Sequence, residues 1–158
     1  MPTQVPHRHD GRSPALATAG QLEVGEKITV DIVARRYWND TGLYVTVGQC
    51  YQFTARGIWI DFYIPCAADG YPTPGWLLQG PLGRLTGMVQ RLRRVPEGNW
   101  FVLVGAVRAA GQYQNFVCGS SREAHMPASG QLEFFANDVP GFYWNNFGSI
   151  QLEITRLS

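Results

Sequence analysis

Residues 137–156, NDVPGFYWNNFGSIQLEITR, carry two patterns in succession. In the second half Ile150, Leu152 and Ile154 alternate with Gln151, Glu153 and Thr155, the period of a strand with one buried face. In the first half, Asn137 to Ser149, an acid (Asp138), a Pro140-Gly141 turn, three consecutive aromatics (Phe142, Tyr143, Trp144) and two carboxamides (Asn145, Asn146) crowd together. Asn and Asp lose water on burial and favour turns, so this polar composition does nothing for a core. Leu132 to Ala136 reads as a strand on the near side, which makes Asn137–Ser149 a strand-to-strand connection and the candidate binding site.

Working back from there, Trp100 to Val107 (WFVLVGAV) is apolar throughout, as a strand covered on both faces would be, and is placed at the centre of the core. Ile28, Val30 and Ile32 give a half-buried strand, Trp38 to Gly42 a turn, and Leu43–Val47 with Cys50–Ala55 a hairpin joined at Val47-Gly48-Gln49. Gly57 to Tyr63 continues in extended form, with Asp61 its one charge. Residues 64–86 form the longest irregular stretch and hold Asp69, Tyr71 and Trp76; loops of that length are usually functional or disordered, and the aromatics here argue for function. Gly87 to Arg93 reads as a strand with an arginine-bearing outer face, Val95 to Asn99 as a turn and Tyr113 to Cys118 as a strand. Gly119 to Gly130 reads as a polar loop containing His125. About eight or nine short strands with Gly/Pro turns describe an all-β protein, a jelly-roll-like β-sandwich.

The 158 residues suffice for one domain with one core, expected over residues 23–158 behind a flexible tail, residues 1–22. His7, His9 and Asp10 in that tail lack further ligands for a zinc set and read as solvated chain. Thirteen Lys and Arg against twelve Asp and Glu leave a formal charge of +1, too balanced for a general nucleic-acid binder. Neither a membrane span nor a classical signal peptide is read in the sequence, so a soluble protein is expected, with a second copy of the chain (a homo-oligomer) as a candidate partner. Three cysteines (Cys50, Cys66, Cys118) cannot all pair within one chain; three thiols are expected, with Cys66–Cys118 as the alternative bridge.

Enzyme constellations are weak. His125 follows Ser120, Ser121 and Glu123 without a GxSxG elbow, and no phosphate loop, dinucleotide fingerprint or HExxH is present. Asp61 and Asp138 suggest a glycosidase pair, but a carboxylate that holds a metal is not free for that work, so no enzyme is expected. Calcium takes about six to eight oxygens from carboxylates, amides, backbone carbonyls and water. Asp138, Asn145 and Asn146 offer side-chain oxygens, the turn can direct the Phe142 carbonyl inward, and Asp61 is the candidate second acid. The competing reading is an Asx-rich turn whose side chains cap backbone groups. Aromatic platforms beside planar polar groups also suit sugars, with Phe142, Tyr143, Trp144, Tyr71 and Trp76 as candidates, although strand parity sends some of them inward.

NDVPGFYWNNFGS resembles the calcium-site loop of the bacterial galactose-binding lectins of the LecA (PA-IL) type, NDVPGTYGNNSGS, at ten of thirteen positions. Gly130, eight residues before Asp138, and the spacing of Gly48 and Gly57 are similar as well; the match spans about Leu43–Ile60 and Leu132–Leu157. The resemblance implies a galactose-binding-domain-like sandwich in which one Ca2+ bridges protein and two adjacent hydroxyls of a terminal galactoside. Asp138, Asn145 and Asn146 would then be side-chain ligands and Phe142 a backbone-carbonyl ligand, with Asp61 the placement for the last, a second backbone carbonyl. Asp138 and Asn145 would also meet sugar hydroxyls, Val139 would line the pocket, and Phe142, Trp144 and Tyr71 would wall it. Phe142 and Trp144 replace a Thr and a Gly of the family loop, giving a bulkier rim, and Asp61 replaces an aromatic. The expected function is a calcium-dependent lectin for terminal galactosides or related sugars. The alternative is a structural or accessory domain of the same fold, using the ion for stability or assembly.

Overall fold

Ile150, Leu152 and Ile154 are buried, and the strand that carries them, Asn146–Arg156, holds the larger of two sheets together. The computed structural model describes residues 20–73 and 87–158. In chain order the strands are β1 (Lys27–Val33), β2 (Asn39–Val45), β3 (Cys50–Arg56), β4 (Trp59–Asp61), β5 (Ile64–Cys66), β6 (Leu103–Ala109), β7 (Gln112–Val117), β8 (Ser121–His125), β9 (Gly130–Ala136) and β10 (Asn146–Arg156). One sheet contains β1, β3, β4, β5, β8 and β10; the other has the order β2-β9-β6-β7. All these strand pairs are antiparallel. Two facing antiparallel sheets make the all-β sandwich that the sequence predicts.

Because β10 alternates, its inward row meets inward rows on both neighbours: Leu152 pairs with Val30 of β1 and with Ala55 of β3, and Ile154 with Ile28 and Phe53. β3 and β4 run along one edge of β10 in continuous register, from Arg56 opposite Gln151 to Asp61 opposite Asn146. That register carries Asp61 to the strand end where the 137–145 loop enters β10. Between the sheets Phe53, Trp59, Phe101, Leu132 and Phe134 are fully buried, each such side chain contributing roughly 1.5–3 kcal/mol relative to exposure. A second cluster (Val95, Val102, Val104, Ala106, Phe135) covers the outer face of the smaller sheet, which explains why the 100–107 segment has no polar face.

Gly130 opens β9 where the chain passes close to β6: a Cβ there would lie 2.1 Å from the Arg108 carbonyl oxygen, so only glycine fits. The three cysteines are buried free thiols, and the Cys66–Cys118 bridge is not formed. Burial pushes the Cys66 thiol up to about 11 and that of Cys118 up to about 12. No helix among the described residues is long and apolar enough to cross a membrane.

Four expectations are corrected. Residues 39–42 are strand: β2 absorbs the Asp40-Thr41-Gly42 turn signal as an irregularity in its pairing with β9. β2 and β3 are not a hairpin, because β2 pairs with β9 in one sheet and β3 with β10 and β8 in the other. Residues 87–91 are helical rather than extended. The supposed polar loop 119–130 contains β8, an edge strand whose sequence SREAH lacks apolar alternation and which is held by pairing with β3. Within the expected tail, residues 20–22 join the domain, with Gly20 bridged to Leu43 and Leu22 buried in the core; the remainder, including His7, His9 and Asp10, lies outside the described residues, as does Trp76.

Candidate functional site

The 137–145 loop is pinned before it offers anything to a ligand. Asn137 is fully buried: its Oδ1 accepts the Val95 N–H at 3.0 Å, and its Nδ2 donates to the carbonyls of Val95 and Asn99 at 2.8 and 2.9 Å. Its backbone continues the brace, donating to Val102 and accepting from Phe101. Pro140-Gly141 then forms the predicted turn. Phe142 N–H donates to the Val139 carbonyl at 3.1 Å across a Gly141 with φ of +95°, which marks the type II geometry that a side chain would strain. A single 3-10 turn, Tyr143–Asn145, delivers the chain into β10.

Arg94 closes the far side. Its backbone N–H donates to the Asp138 carbonyl at 3.2 Å, and its guanidinium donates to the Tyr37 carbonyl and, at 3.2 Å, to the Tyr143 hydroxyl. The same guanidinium lies over the rings of Phe135, Trp38 and Tyr37, at 3.3, 3.9 and 4.1 Å from their centroids. Tyr143 therefore faces inward, its hydroxyl donating to the Ala136 carbonyl at 2.6 Å, and it belongs to the framework rather than to a sugar platform.

On this scaffold the structure brings together four of the predicted residues. Asp138 is buried; its Oδ1 accepts the Val139 N–H at 2.7 Å and its Oδ2 accepts from the Asn146 amide at 2.9 Å. Asn146 stands directly across the β4–β10 pair from Asp61. Asp61 in turn accepts a hydrogen bond from the Tyr71 hydroxyl at 2.5 Å. Burial lifts the Asp61 carboxyl to about 6, the nearby Asp138 charge adding to it and the Tyr71 hydrogen bond opposing it. Burial likewise raises Asp138, against the hydrogen bonds from Asn146 and Val139. Tyr71 stays protonated far above the usual phenol range through its own burial and the adjacent Asp61 carboxylate.

The carbonyl oxygens of the Asn145 and Asn146 side chains are buried without a hydrogen-bond partner among the described residues. Orphaned amide oxygens on two consecutive residues, one of which bonds Asp138 and stands opposite Asp61, make a set rich in oxygen acceptors, the composition that a hard cation satisfies. No cluster of three His, Cys, Asp or Glu is present among the described residues, so any metal here would draw on amide and carbonyl oxygens. The Phe142 carbonyl accepts the Asn145 N–H at 3.2 Å, which leaves its second lone pair for another partner.

Around the centre, Phe142 and Trp144 are exposed, as the bulky rim predicts, whereas Val139 is buried and presents little surface to a ligand. Two features escape a reading of the sequence: the brace through Arg94 and Asn137, and the exposed Phe62-Tyr63 tip of the β4–β5 hairpin beside Asp61. An arginine flanked by Arg93 and Arg91 looks like a solvated charge, and nothing local reveals the rings it meets. The FY pair next to the lone acid of its segment was the available signal for the tip.

No protein-family model and no curated protein matches the chain. Among solved structures eight chains match. One of them, the EclA N-terminal domain, described as a PllA-like lectin, superposes with a TM-score of 0.55 over 81% of this chain and 94% of that one, at 19% sequence identity. The chain shares the fold of that lectin domain.

Proposed function

We propose that the protein is a calcium-dependent lectin whose site is the Asp61–Asp138–Asn145–Asn146 centre, with terminal galactosides or related sugars as its ligands. The observation that carries the reading is the pair of buried, unpartnered amide oxygens on Asn145 and Asn146 next to two carboxylates whose protonation is favoured by burial. An orphaned buried acceptor costs about 1–3 kcal/mol, so two on consecutive residues call for an electropositive partner. Asp138, Asn145, Asn146, Asp61 and the Phe142 carbonyl would hold the ion. Bound there, calcium supplies open coordination positions for vicinal hydroxyls. The exposed faces of Phe142 and Trp144, with Tyr71 beside Asp61, would then meet the apolar side of a sugar ring. The shared fold with a PllA-like lectin domain supports carbohydrate as the ligand class.

The test is isothermal titration of chelator-stripped protein with calcium, followed by a glycan array with and without chelator. Calcium uptake together with chelator-sensitive galactoside binding is the expected result; absence of uptake would sink the proposal. One observation favours a second reading. Both Asp138 oxygens already accept hydrogen bonds from within the loop, as they would in a site that serves only stability. Calcium that raises the melting temperature while no glycan binds would select that accessory role.

A further inference from the structure

Three segments meet at the end of the sandwich that holds the oxygen centre: the β1–β2 turn (residues 34–38), the β4–β5 tip and the 139–145 loop. The β1–β2 turn is tied in by the Ala34 N–H donating to Gly148 at 3.0 Å and by the Tyr37 ring, 5.2 Å from that of Tyr143. The tip is tied in by the Asp61–Asn146 register. Large aromatic side chains stand out from all this surface: Phe62 is 60% exposed, Tyr63 66%, Phe142 52% and Trp144 68%. Phe62 holds a φ of +54°, a conformation that glycine adopts freely and that strains a bulky residue. Phe62 meets the Tyr63 ring edge-on at 5.1 Å, so the two form one largely exposed aromatic knob at the hairpin tip, suited to contacts outside the protein.

The exposed charge at this end is positive. Across residues 34–38, 58–65 and 137–149 there are two cations and two acids: Arg35 and Arg36 are exposed, whereas Asp138 is buried and Asp61 is half-buried and engaged by Tyr71. We infer that this end docks onto an anionic lipid bilayer, with Trp144, Tyr63, Phe62 and Phe142 entering the headgroup layer and Arg35 and Arg36 meeting lipid phosphates. Trp and Tyr prefer that layer because each has an apolar body and a polar tip. Separate protruding tips suit a soft surface, and a second copy, presenting the same exposed arginines across a two-fold axis, offers no exposed acid from these segments to pair with them. The inference does not rest on calcium or sugar binding.

Flotation of the full chain in chelator, with vesicles of phosphatidylcholine plus phosphatidylserine or of phosphatidylcholine alone, tests it. Expected are co-flotation with the anionic vesicles that weakens with salt, and tryptophan quenching by brominated lipid that Trp144→Phe largely removes. A double change of Arg35→Gln and Arg36→Gln should lower partitioning about thirtyfold, at about fivefold per arginine near the surface. The inference is overturned if neither vesicle floats the protein or if flotation is indifferent to both the arginine change and Phe62→Ser with Tyr63→Ser. It is equally overturned if sedimentation velocity reveals a dimer that Trp144→Ser abolishes while no vesicle binds. Chelator is present throughout, so failure of the calcium reading leaves these outcomes unchanged.

Discussion

Asp61 and Asn146 are direct cross-strand partners, and the Asn146 amide in turn reaches Asp138 at 2.9 Å. Two acids some distance apart in sequence thus meet at one residue, Asp61 through backbone register and Asp138 through the Asn146 carboxamide. Asp61→Asn keeps the shape and the Tyr71 hydrogen bond while removing a charge. Calcium affinity, measured by titration calorimetry, is expected to fall on the order of tenfold, because the ligand charge count sets the strength of such sites.

The same carboxyl makes metal-free stability depend on pH. With the folded value near 6 against an ordinary value of 3.8, the fold prefers protonated Asp61. Its contribution is complete below the ordinary value and is lost as pH rises through the folded one. Chemical denaturation of chelated protein between pH about 4 and about 7 should show stability, relative to Asp61→Asn, falling as pH rises. Calcium needs the carboxylate, so its affinity should climb over the same window.

Asn137 and Asn145 predict opposite outcomes for one kind of substitution. Asn137→Ala strips three hydrogen bonds from a fully buried brace and should destabilise the metal-free protein by roughly 3 kcal/mol in urea unfolding. Asn145→Ala removes an oxygen with no partner, and should leave metal-free stability close to wild type while abolishing calcium-linked stabilisation. Equal loss of metal-free stability in both variants would mean that Asn145 is structural.

Arg94→Ala removes the guanidinium from its aromatic surroundings and from the Tyr143 hydroxyl, a loss of about 2 kcal/mol. Lysine at this position cannot stack as a plane and should recover less than half of the loss. Near-ultraviolet circular dichroism reports the accompanying release of Trp38, whose other face stacks on Tyr113 at 4.1 Å.

Those strands that face one way were legible in the sequence. β1 and β10 show their alternation openly, and the two-sided covering of β6 accounts for its unbroken apolar run. β8 was not legible, since SREAH lies on an edge where backbone pairing rather than side-chain burial holds the strand. β2 was obscured by Asp40, whose carboxylate accepts the Gly42 N–H as in an ordinary Asx turn while the strand continues. Within the site, Asp138, Asn145 and Asn146 are neighbours along the chain and could be read together. Asp61 joins them only through sheet register, and Arg94 only through the packing of rings from three other segments, relations that a linear string does not display.

β10 is the last strand of the chain, yet β1, β3 and β4 all pair with it. Until residues 146–156 have been made, three earlier strands each lack a neighbour on one edge, and Asp61 has only Ile64 of β5 opposite it. Assembly of the larger sheet therefore closes over long sequence separations, the kind of topology that folds slowly and exposes unpaired strands meanwhile. Trimming from the C-terminal side should not yield a smaller working domain: even a short truncation into β10 would remove the seam of the sheet and the binding centre in the same stroke.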